Sequence, residues 1–423
     1  MTIPTPVRPL EGKVVLDLTT ALSGPYATML LAGLGARVIK VENPLTGGDS
    51  SRNNSPYLTR AGLSVVRTDP QDMSVSMLLR GRGKESIVLD LKSEIGRATF
   101  LDLVEAADIV VENFSAGVTD RLGIGYAAAR ERNPRIVYTS ISGFGAQGNA
   151  GGGKAMDTIV QALSGMMLTA GSPGQAPVRF GVPIADLVAP LYAVIGTLAA
   201  VLHSRETGQG QYVDVSMLGA LTSLVACEPF DVFEKIGLPL RTGDYVPRLA
   251  PFGTFATRDG WIALCAPTDA FARGVLKAMG GEALADDPRF RRRDDRVANA
   301  DELHAMIAEW TKDRTVAEAT RRLEEAGAPV APIRTTAEAV RDPLVLQRGE
   351  VVPLVHPDFE TREELLGSGV PILMSECPTS IDRPAPHLGE DTDAVLRDLV
   401  GYDDEQIRAV TGVTAQRADV ARK

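Results

Sequence analysis

Strand-like and helix-like stretches alternate from the start of this chain, and that alternation limits the fold more than any other feature. Lys13-Val14-Val15-Leu16-Asp17-Leu18 reads as a buried strand, a loop with Ser23, Gly24 and Pro25 follows, and an apolar helical stretch runs from Tyr26 to Leu34. Gly35 suits a helix C-terminus, and Arg37-Val38-Ile39-Lys40-Val41-Glu42 is a second strand. Strand, helix and strand within about 30 residues make a βαβ unit with a parallel sheet. Further strands are expected over 86–91, 108–112, 135–141 and 212–217, with a helix over 94–106. The fold class that follows is α/β, with a doubly wound, Rossmann-like sheet. The dinucleotide fingerprint GxGxxG is missing from the first turn, so nicotinamide binding is not the default reading.

Two stretches break the alternation. Residues 44–83 are polar and glycine-rich with no period, and read as a long surface loop whose length suggests function. Further on, Phe252–Thr257 and Trp261–Cys265 bracket Arg258-Asp259-Gly260, a hairpin signal. Helices follow it, with N-cap patterns at Asn299 and Thr315, the second a capping box with Glu318. With 423 residues there is room for two or three domains. The expected division is a large Rossmann-like domain beginning with 1–224, a small α+β domain over 225–335, and a linker and C-terminal part over 336–423 returning to the large domain.

Charge and cysteine usage remove several function classes. A net charge of −10 argues against a general nucleic-acid binder. Cys227, Cys265 and Cys377 are scattered, which indicates neither a zinc site nor a disulfide framework and fits a reducing, cytoplasmic location. Met1–Leu10 has no apolar core of signal-peptide length. The apolar run from Leu187 to His203 is short for a span of roughly 20 residues and carries Pro190, Tyr192, Gly196 and Thr197, so it reads as a buried helix and no membrane partner is expected. None of His203, His304, His356 and His387 lies near a GxSxG or HExxH pattern, and no metal is expected. Arg291-Arg292-Arg293 adjoins Asp294 and Asp295 and reads as a self-neutralised, solvated face. Gly151-Gly152-Gly153-Lys154 lacks Walker spacing; its lysine holds a phosphate or merely decorates the surface.

Gly181-Val182-Pro183-Ile184-Ala185-Asp186 joins a Gly/Pro-rich loop to the long apolar run. A carboxylate there caps a helix by accepting orphan backbone N–H groups, and the helix dipole favours it. A reactive carboxylate is the other reading, and the residues alone leave both open.

Several short motifs, in order and over nearly the whole chain, resemble family III CoA-transferases. They are Val15-Leu16-Asp17-Leu18 with Ser23-Gly24-Pro25, Leu34-Gly35-Ala36-Arg37-Val38-Ile39-Lys40-Val41-Glu42, and Lys84-x-Ser86-Ile87-x-Leu89-Asp90-Leu91-Lys92. Asp108-x-Val110-Val111-Glu112-Asn113-Phe114, Asp157-x-x-x-Gln161-Ala162-x-Ser164-Gly165, Thr207-Gly208-x-Gly210-Gln211 and Pro386-His387-Leu388-Gly389-Glu390 continue the series. The resemblance implies that Asp186 is the catalytic carboxylate. It places coenzyme A on Thr20, Ala21, Leu22, Ser23, Leu89, Lys92, Asn113, Phe114, Arg121, Lys154 and Met217. Met156, Asp157 and Gln161 fall near the acyl group. Asn43 departs from several members, which carry an arginine near the adenine. The resemblance further implies acyl-CoA and a carboxylic acid, such as succinate, as substrates, and a homodimer of interlocked chains. Two alternatives are an α-methylacyl-CoA racemase and a non-catalytic CoA-binding protein. Met156 stands where the racemase branch has a proton-moving histidine, and Asp186 argues against a non-catalytic role.

Overall fold

Six strands build the central sheet: β1 (Val14–Asp17), β2 (Arg37–Glu42), β3 (Lys84–Val88), β4 (Ile109–Glu112), β5 (Val137–Ser142) and β6 (Tyr212–Ser216). These come from a computed structural model that describes residues 7–148, 154–246, 248–359 and 364–421. The strand order is β3-β2-β1-β4-β5-β6, and every neighbouring pair is parallel, as the alternation predicts. Val15, Leu16, Val38, Ile39, Val110 and Val111 are buried, as expected for strands covered on both faces. The order reverses between β1 and β4, and the crevice beyond the carboxyl ends of those two strands is where such sheets bind ligands.

Helices flank the sheet: α1 (Ser23–Gly33), α2 (Val75–Arg80), α3 (Glu94–Ala106), α4 (Val118–Leu122), α5 (Tyr126–Arg132), α6 (Asp157–Leu163) and α7 (Ile184–Thr207). Ser93 caps α3 by accepting the Gly96 N–H, and Phe100, Leu103 and Val104 pack with Leu16, Ile39 and Val110. α1 starts at Ser23, before the expected Tyr26. A Cβ at Gly24 would stand 2.3 Å from the Thr19 side chain, so only glycine lets the helix begin this close to the preceding turn. α7 is long and apolar enough to cross a membrane by length and composition alone. It lies against α1, β5 and β6, and its face with Ala185, Ala189, Ala193, Thr197, Ala200 and Ser204 is buried.

The stretch 44–83 is not a loop. Tyr57–Thr59, Gly62–Ser64 and Met73–Ser74 form a small antiparallel sheet, and α2 follows. Leu58, Met73, Met77 and Leu78 form a core there with Leu354, Phe359 and Ala385. Strands of two or three residues are too short to show a period, and three of those seven core residues come from far along the chain.

The contacts divide the chain into two units, one of Met1–Ser164, Phe180–Leu224 and Val340–Lys423, the other of Gly165–Arg179 and Val225–Ala339. Gly165–Arg179, which the sequence reading leaves with the large domain, groups with the second unit. Arg241 holds it there by donating to the carbonyls of Ala170, Gln175 and Ala176. The second unit carries the antiparallel strands β7 (Phe252–Ala256), β8 (Trp261–Cys265) and β9 (Val330–Pro332) over a core that includes Phe255, Ile262, Leu264, Ile307 and Leu323. Thr315 accepts the Glu318 N–H at 3.1 Å as expected of a cap. Asn299 precedes its helix without capping it, because its amide donates instead to the carbonyls of Arg289 and Asp295.

Candidate active site

The turn between β1 and α1 lies at the reversal point of the sheet, and side chains hold three consecutive backbone units of it. Asp17 Oδ1 accepts the Thr19 N–H at 2.8 Å, and Lys40 Nζ donates to the Thr19 carbonyl at 2.8 Å. Asn113, just past β4, takes both groups of Thr20: Oδ1 accepts its N–H at 2.8 Å and Nδ2 donates to its carbonyl at 2.9 Å. Asp49 Oδ1 accepts the Ala21 N–H at 2.9 Å, and Arg80 Nε donates to the Ala21 carbonyl at 3.1 Å. Ala21 has φ of +68°, a strained conformation for a residue with a Cβ. Strain of that kind persists only where the surroundings over-determine it, and such residues cluster at functional sites.

Behind the turn lies a buried charge network. Lys84 Nζ donates to Asp17 Oδ2 (2.9 Å), the Pro25 carbonyl (2.9 Å) and Thr28 Oγ1 (2.7 Å), which uses all three of its protons. Lys40 pairs with Asp49 at 2.8 Å and Arg52 with Glu42 at 2.6 Å. Burial alone would raise the Asp17 carboxyl, but Lys40 and Lys84 overcome it and hold the group at about 2. Burial pushes Lys84 down to about 8, with Lys40 adding to the effect and Asp17 opposing it. The two lysines share one carboxylate, so Asp17 is the better compensated partner.

Asp186 sits in the first turn of α7 but does not cap it, which corrects the capping reading. Pro183 holds the cap position, and no side chain at that position bonds to the helix N–H groups. Asp157, at the start of α6, does that work from outside the helix: its Oδ1 accepts the Ala185 N–H at 2.9 Å. Its Oδ2 accepts Gln161 Nε2 at 2.8 Å, and Gln161 Oε1 accepts the Phe180 N–H at 2.8 Å. Asp157 and Gln161 are therefore a buried clasp around the junction, while Met156 is 70% exposed. Among the described residues the Asp186 carboxylate has no hydrogen-bond or ion-pair partner. Burial raises it to about 6, the neighbouring Asp157 charge adds to the rise, and Arg80 opposes it. Arg80 thus touches the strained turn by a hydrogen bond and Asp186 by its field.

The other residues placed by resemblance fall into three environments. Ser23 is buried, and its Oγ has no hydrogen-bond partner. Leu22 precedes α1 and is half-buried. Leu89 lies in the core, so only its backbone can face a ligand, and Met217 is also buried. Phe114 is half-buried, with its N–H given to Glu112 Oε2 at 2.7 Å. Lys92, Arg121 and Lys154 are exposed. Gly151, Gly152 and Gly153, the glycine approach to Lys154, lie outside the described residues. Arg80, Asp49 and Lys40 carry no role in the sequence reading.

His356, Asp358 and His387 have ligand atoms within 4.8 Å of one another. His356 is already committed. Its Nδ1 accepts the Asp358 N–H at 3.2 Å, which leaves Nε2 as the protonated nitrogen facing the Ala385 carbonyl at 3.0 Å. His387 Nε2 faces Asp358 Oδ2 at 2.8 Å. This group is a hydrogen-bonded corner, with no free lone pair on His356 for a metal. A cavity of about 580 Å³ in the first unit is lined by residues that include Arg82, Val352, His356, Val370 and Ile381, and none of the residues assigned to coenzyme A lines it.

An α/β unit with a ligand crevice beside an unpaired, raised carboxylate agrees with the comparisons to known proteins. The family model for CoA-transferase family III matches residues 10–392, and the chain belongs to that family. It is 34% identical over 398 residues to a succinate–glutarate CoA-transferase of Agrobacterium fabrum, covering 94% of this chain and 97% of the relative. It is 35% identical to an acetyl-CoA:oxalate CoA-transferase of Acetobacter aceti, covering 94% and 98% of the two chains. With a succinyl-CoA:mesaconate CoA-transferase of Haloarcula marismortui the figures are 36% identity and 93% and 97% coverage. The crystal structure of a CaiB/BaiF family protein from Brucella suis superposes with a TM-score of 0.79 at 31% identity, covering 93% of this chain and 99% of that one. The chain is thus a family III CoA-transferase.

Proposed function

We propose that this enzyme moves coenzyme A from an acyl-CoA to a free dicarboxylic acid, with Asp186 as the nucleophile. The observation that carries the reading is the Asp186 carboxylate itself, half-buried, unpartnered and raised to about 6. A carboxylate of raised pKa is more nucleophilic than a free one yet still ionised at neutral pH. It attacks the thioester carbonyl, the C–S bond breaks, and coenzyme A leaves as thiolate with the electron pair, giving an acyl–aspartyl anhydride. The thiolate attacks the Asp186 carbonyl, the first acid departs as carboxylate, and an aspartyl-CoA thioester remains. The incoming carboxylate attacks that thioester and frees the thiolate again. Thiolate attack on the new acyl carbonyl then forms the product and returns Asp186. Covalent catalysis divides a hard exchange into steps that each break an activated bond.

Coenzyme A is assigned to the β1–α1 turn at Thr20, Ala21, Leu22 and Ser23, whose order Asn113, Asp49 and Arg80 impose. Leu89, Asn113, Phe114 and Met217 complete the pantetheine wall, and Lys92, Arg121 and Lys154 take the phosphates. A pinned turn suits that use, since a binding surface that is already ordered loses little entropy when a ligand arrives. Dicarboxylates are favoured because succinate, glutarate, oxalate and mesaconate name the relatives' reactions. A homodimer of interlocked chains is part of the proposal. Its support is the resemblance together with Leu191, Tyr192, Ile195 and Leu202, which leave an apolar stripe of α7 exposed on a single chain. A cytoplasmic location belongs to the same reading.

The test is to mix the enzyme with acyl-CoA and no acceptor. Borohydride should reduce the aspartyl thioester and hydroxylamine should trap it as a hydroxamate, each with a defined mass change on the peptide carrying Asp186. Labelling of another peptide, or of none while turnover is intact, would rule out Asp186 as nucleophile.

A further inference from the structure

Among the described residues, Arg80 is the one group that both touches the strained turn and acts on the Asp186 carboxyl, and its own bonding is incomplete. Its Nε donates to the Ala21 carbonyl at 3.1 Å. Among the described residues, neither terminal nitrogen of the guanidinium has a hydrogen-bond or ion-pair partner. The side chain is half-buried, and Arg80 ends α2, with Gly81 following it as the helix cap. Burial lowers its pKa, and the carboxylates of Asp49 and Asp186 only partly offset that cost. Asp49 is already committed to Lys40 and to the N–H groups of Ala21 and Ser51. Asp186 is the proposed nucleophile, and its charge disappears into the anhydride and the thioester during turnover. At those stages Arg80 has one anionic neighbour fewer, while its four terminal N–H donors still meet no protein acceptor among the described residues.

We propose that Arg80 is the specificity-determining residue that receives the non-reacting carboxylate of a dicarboxylic substrate. A guanidinium with both terminal nitrogens free is a planar fork that matches a carboxylate in two parallel bonds. Nε is spent on Ala21, which fixes the plane of the fork relative to the turn assigned to the thioester end of coenzyme A. The substrate class that fits is a short diacid, one carboxylate reacting at Asp186 and the other held at Arg80. A monoacid of the same length leaves the fork facing a methyl group, which strands a half-buried cation without its hydrogen bonds, a basis for rejection.

The inference rests on the transferase reading, and the experiment separates the two. One donor, acetyl-CoA, is used throughout, and kcat/KM is compared for two acceptors of equal length, glutarate and valerate. The ratio of the two cancels whatever a substitution does to the donor. The native enzyme should prefer glutarate, and Arg80→Met should lower kcat/KM for glutarate roughly 10- to 100-fold more than for valerate, the extra loss falling chiefly on KM. Arg80→Lys keeps the charge without the fork and should fall between; it also carries the comparison if the methionine variant does not fold, as read by thermal unfolding. An equal loss on both acids would overturn the proposal, leaving Arg80 as a support for Ala21 or Asp186. An unchanged ratio, or a native enzyme that accepts both acids equally, would overturn it as well. Transfer to neither acid from acetyl-CoA or from succinyl-CoA would overturn the dicarboxylate reading of the proposed function, and the Arg80 proposal with it.

Discussion

Two groups of acids lie in the first unit of this enzyme, and they live in opposite electrostatic worlds. Asp17, Glu42 and Asp49 are buried, but each meets a lysine or arginine, and each is held below the ordinary carboxylate range against the effect of burial. Asp186 is less buried, yet burial raises it to about 6, the Asp157 charge adds to the rise, and Arg80 opposes it without forming an ion pair. Depth therefore does not decide which carboxylate can react. Pairing does: the network has spent its charge on fixing the backbone of Thr19 to Ala21, while Asp186 has kept its own.

The largest effect should come from removing the unpaired acid. Asp186→Asn replaces the nucleophile with a nearly inert amide, so turnover should fall roughly 10³-fold or more. Steady-state CoA transfer measures this, with mass analysis to exclude deamidation back to Asp. Near-normal turnover would move the nucleophile elsewhere, and Asp157 would be the next candidate.

Removing a paired acid should act on stability first. Asp17→Asn leaves Lys84 buried without a counter-charge, which costs about 3–5 kcal/mol. Urea unfolding at pH 7 should show it. The same linkage predicts acid lability: the stability that Asp17 contributes is full above its unfolded value near 4 and is lost as pH falls toward 2. A neutral effect of Asp17→Asn on the unfolding midpoint would break the distinction between the two groups.

A smaller effect tests the link between the two acids at the α6–α7 junction. Asp157→Asn keeps an oxygen for the Ala185 N–H but removes the like charge beside Asp186, so the acid limb of kcat/KM should move to lower pH. Asp157→Ala removes the bond as well and should cost about 1 kcal/mol, the usual value of a cap. An acid limb that stays put in Asp157→Asn would mean that burial alone sets the Asp186 value.

How far the sequence carries can be read from these same residues. The strands of the sheet are visible because β-branched runs at β1, β2, β4 and β5 alternate with helical stretches, and that pattern is local. Asp186 is visible because a carboxylate at a loop-to-helix junction is conspicuous in a linear string. Its freedom from capping is not, because the cap comes from Asp157, 28 residues before the Ala185 whose N–H it accepts. Arg80 is hidden for a related reason. It lies in a stretch with no period, its acceptor is Ala21, 59 residues away, and no motif marks a guanidinium whose importance is the bonds it does not make. The network of Asp17, Lys40, Asp49 and Lys84 is written as single charges inside strands and loops, where an isolated buried lysine such as Lys40 is the only warning. Sequence shows which groups are present; the three-dimensional pairing decides which are spent.

A further modest effect separates a nucleophile from a cap. Asp186 is raised from 3.8 to about 6 in the folded chain. Its ionised form is therefore penalised on folding. The stability associated with its protonated form is complete below the unfolded value and is lost as pH rises through about 6. At pH 8 the native enzyme bears the whole penalty, which amounts to about 1–2 kcal/mol once its partial exposure is allowed for. Asp186→Asn removes the charge without removing a hydrogen bond, so the variant should unfold at a higher temperature than the native enzyme at pH 8. At pH 4 the native carboxyl is mostly protonated when folded, and the gain should nearly vanish. A helix cap would behave in the opposite way at pH 8, where an ionised Asp is at least as good as Asn. Thermal unfolding of both proteins at the two pH values decides the matter: a variant less stable than native at pH 8 would return Asp186 to a structural role, and with it the reading of α7 as the helix that carries the reaction.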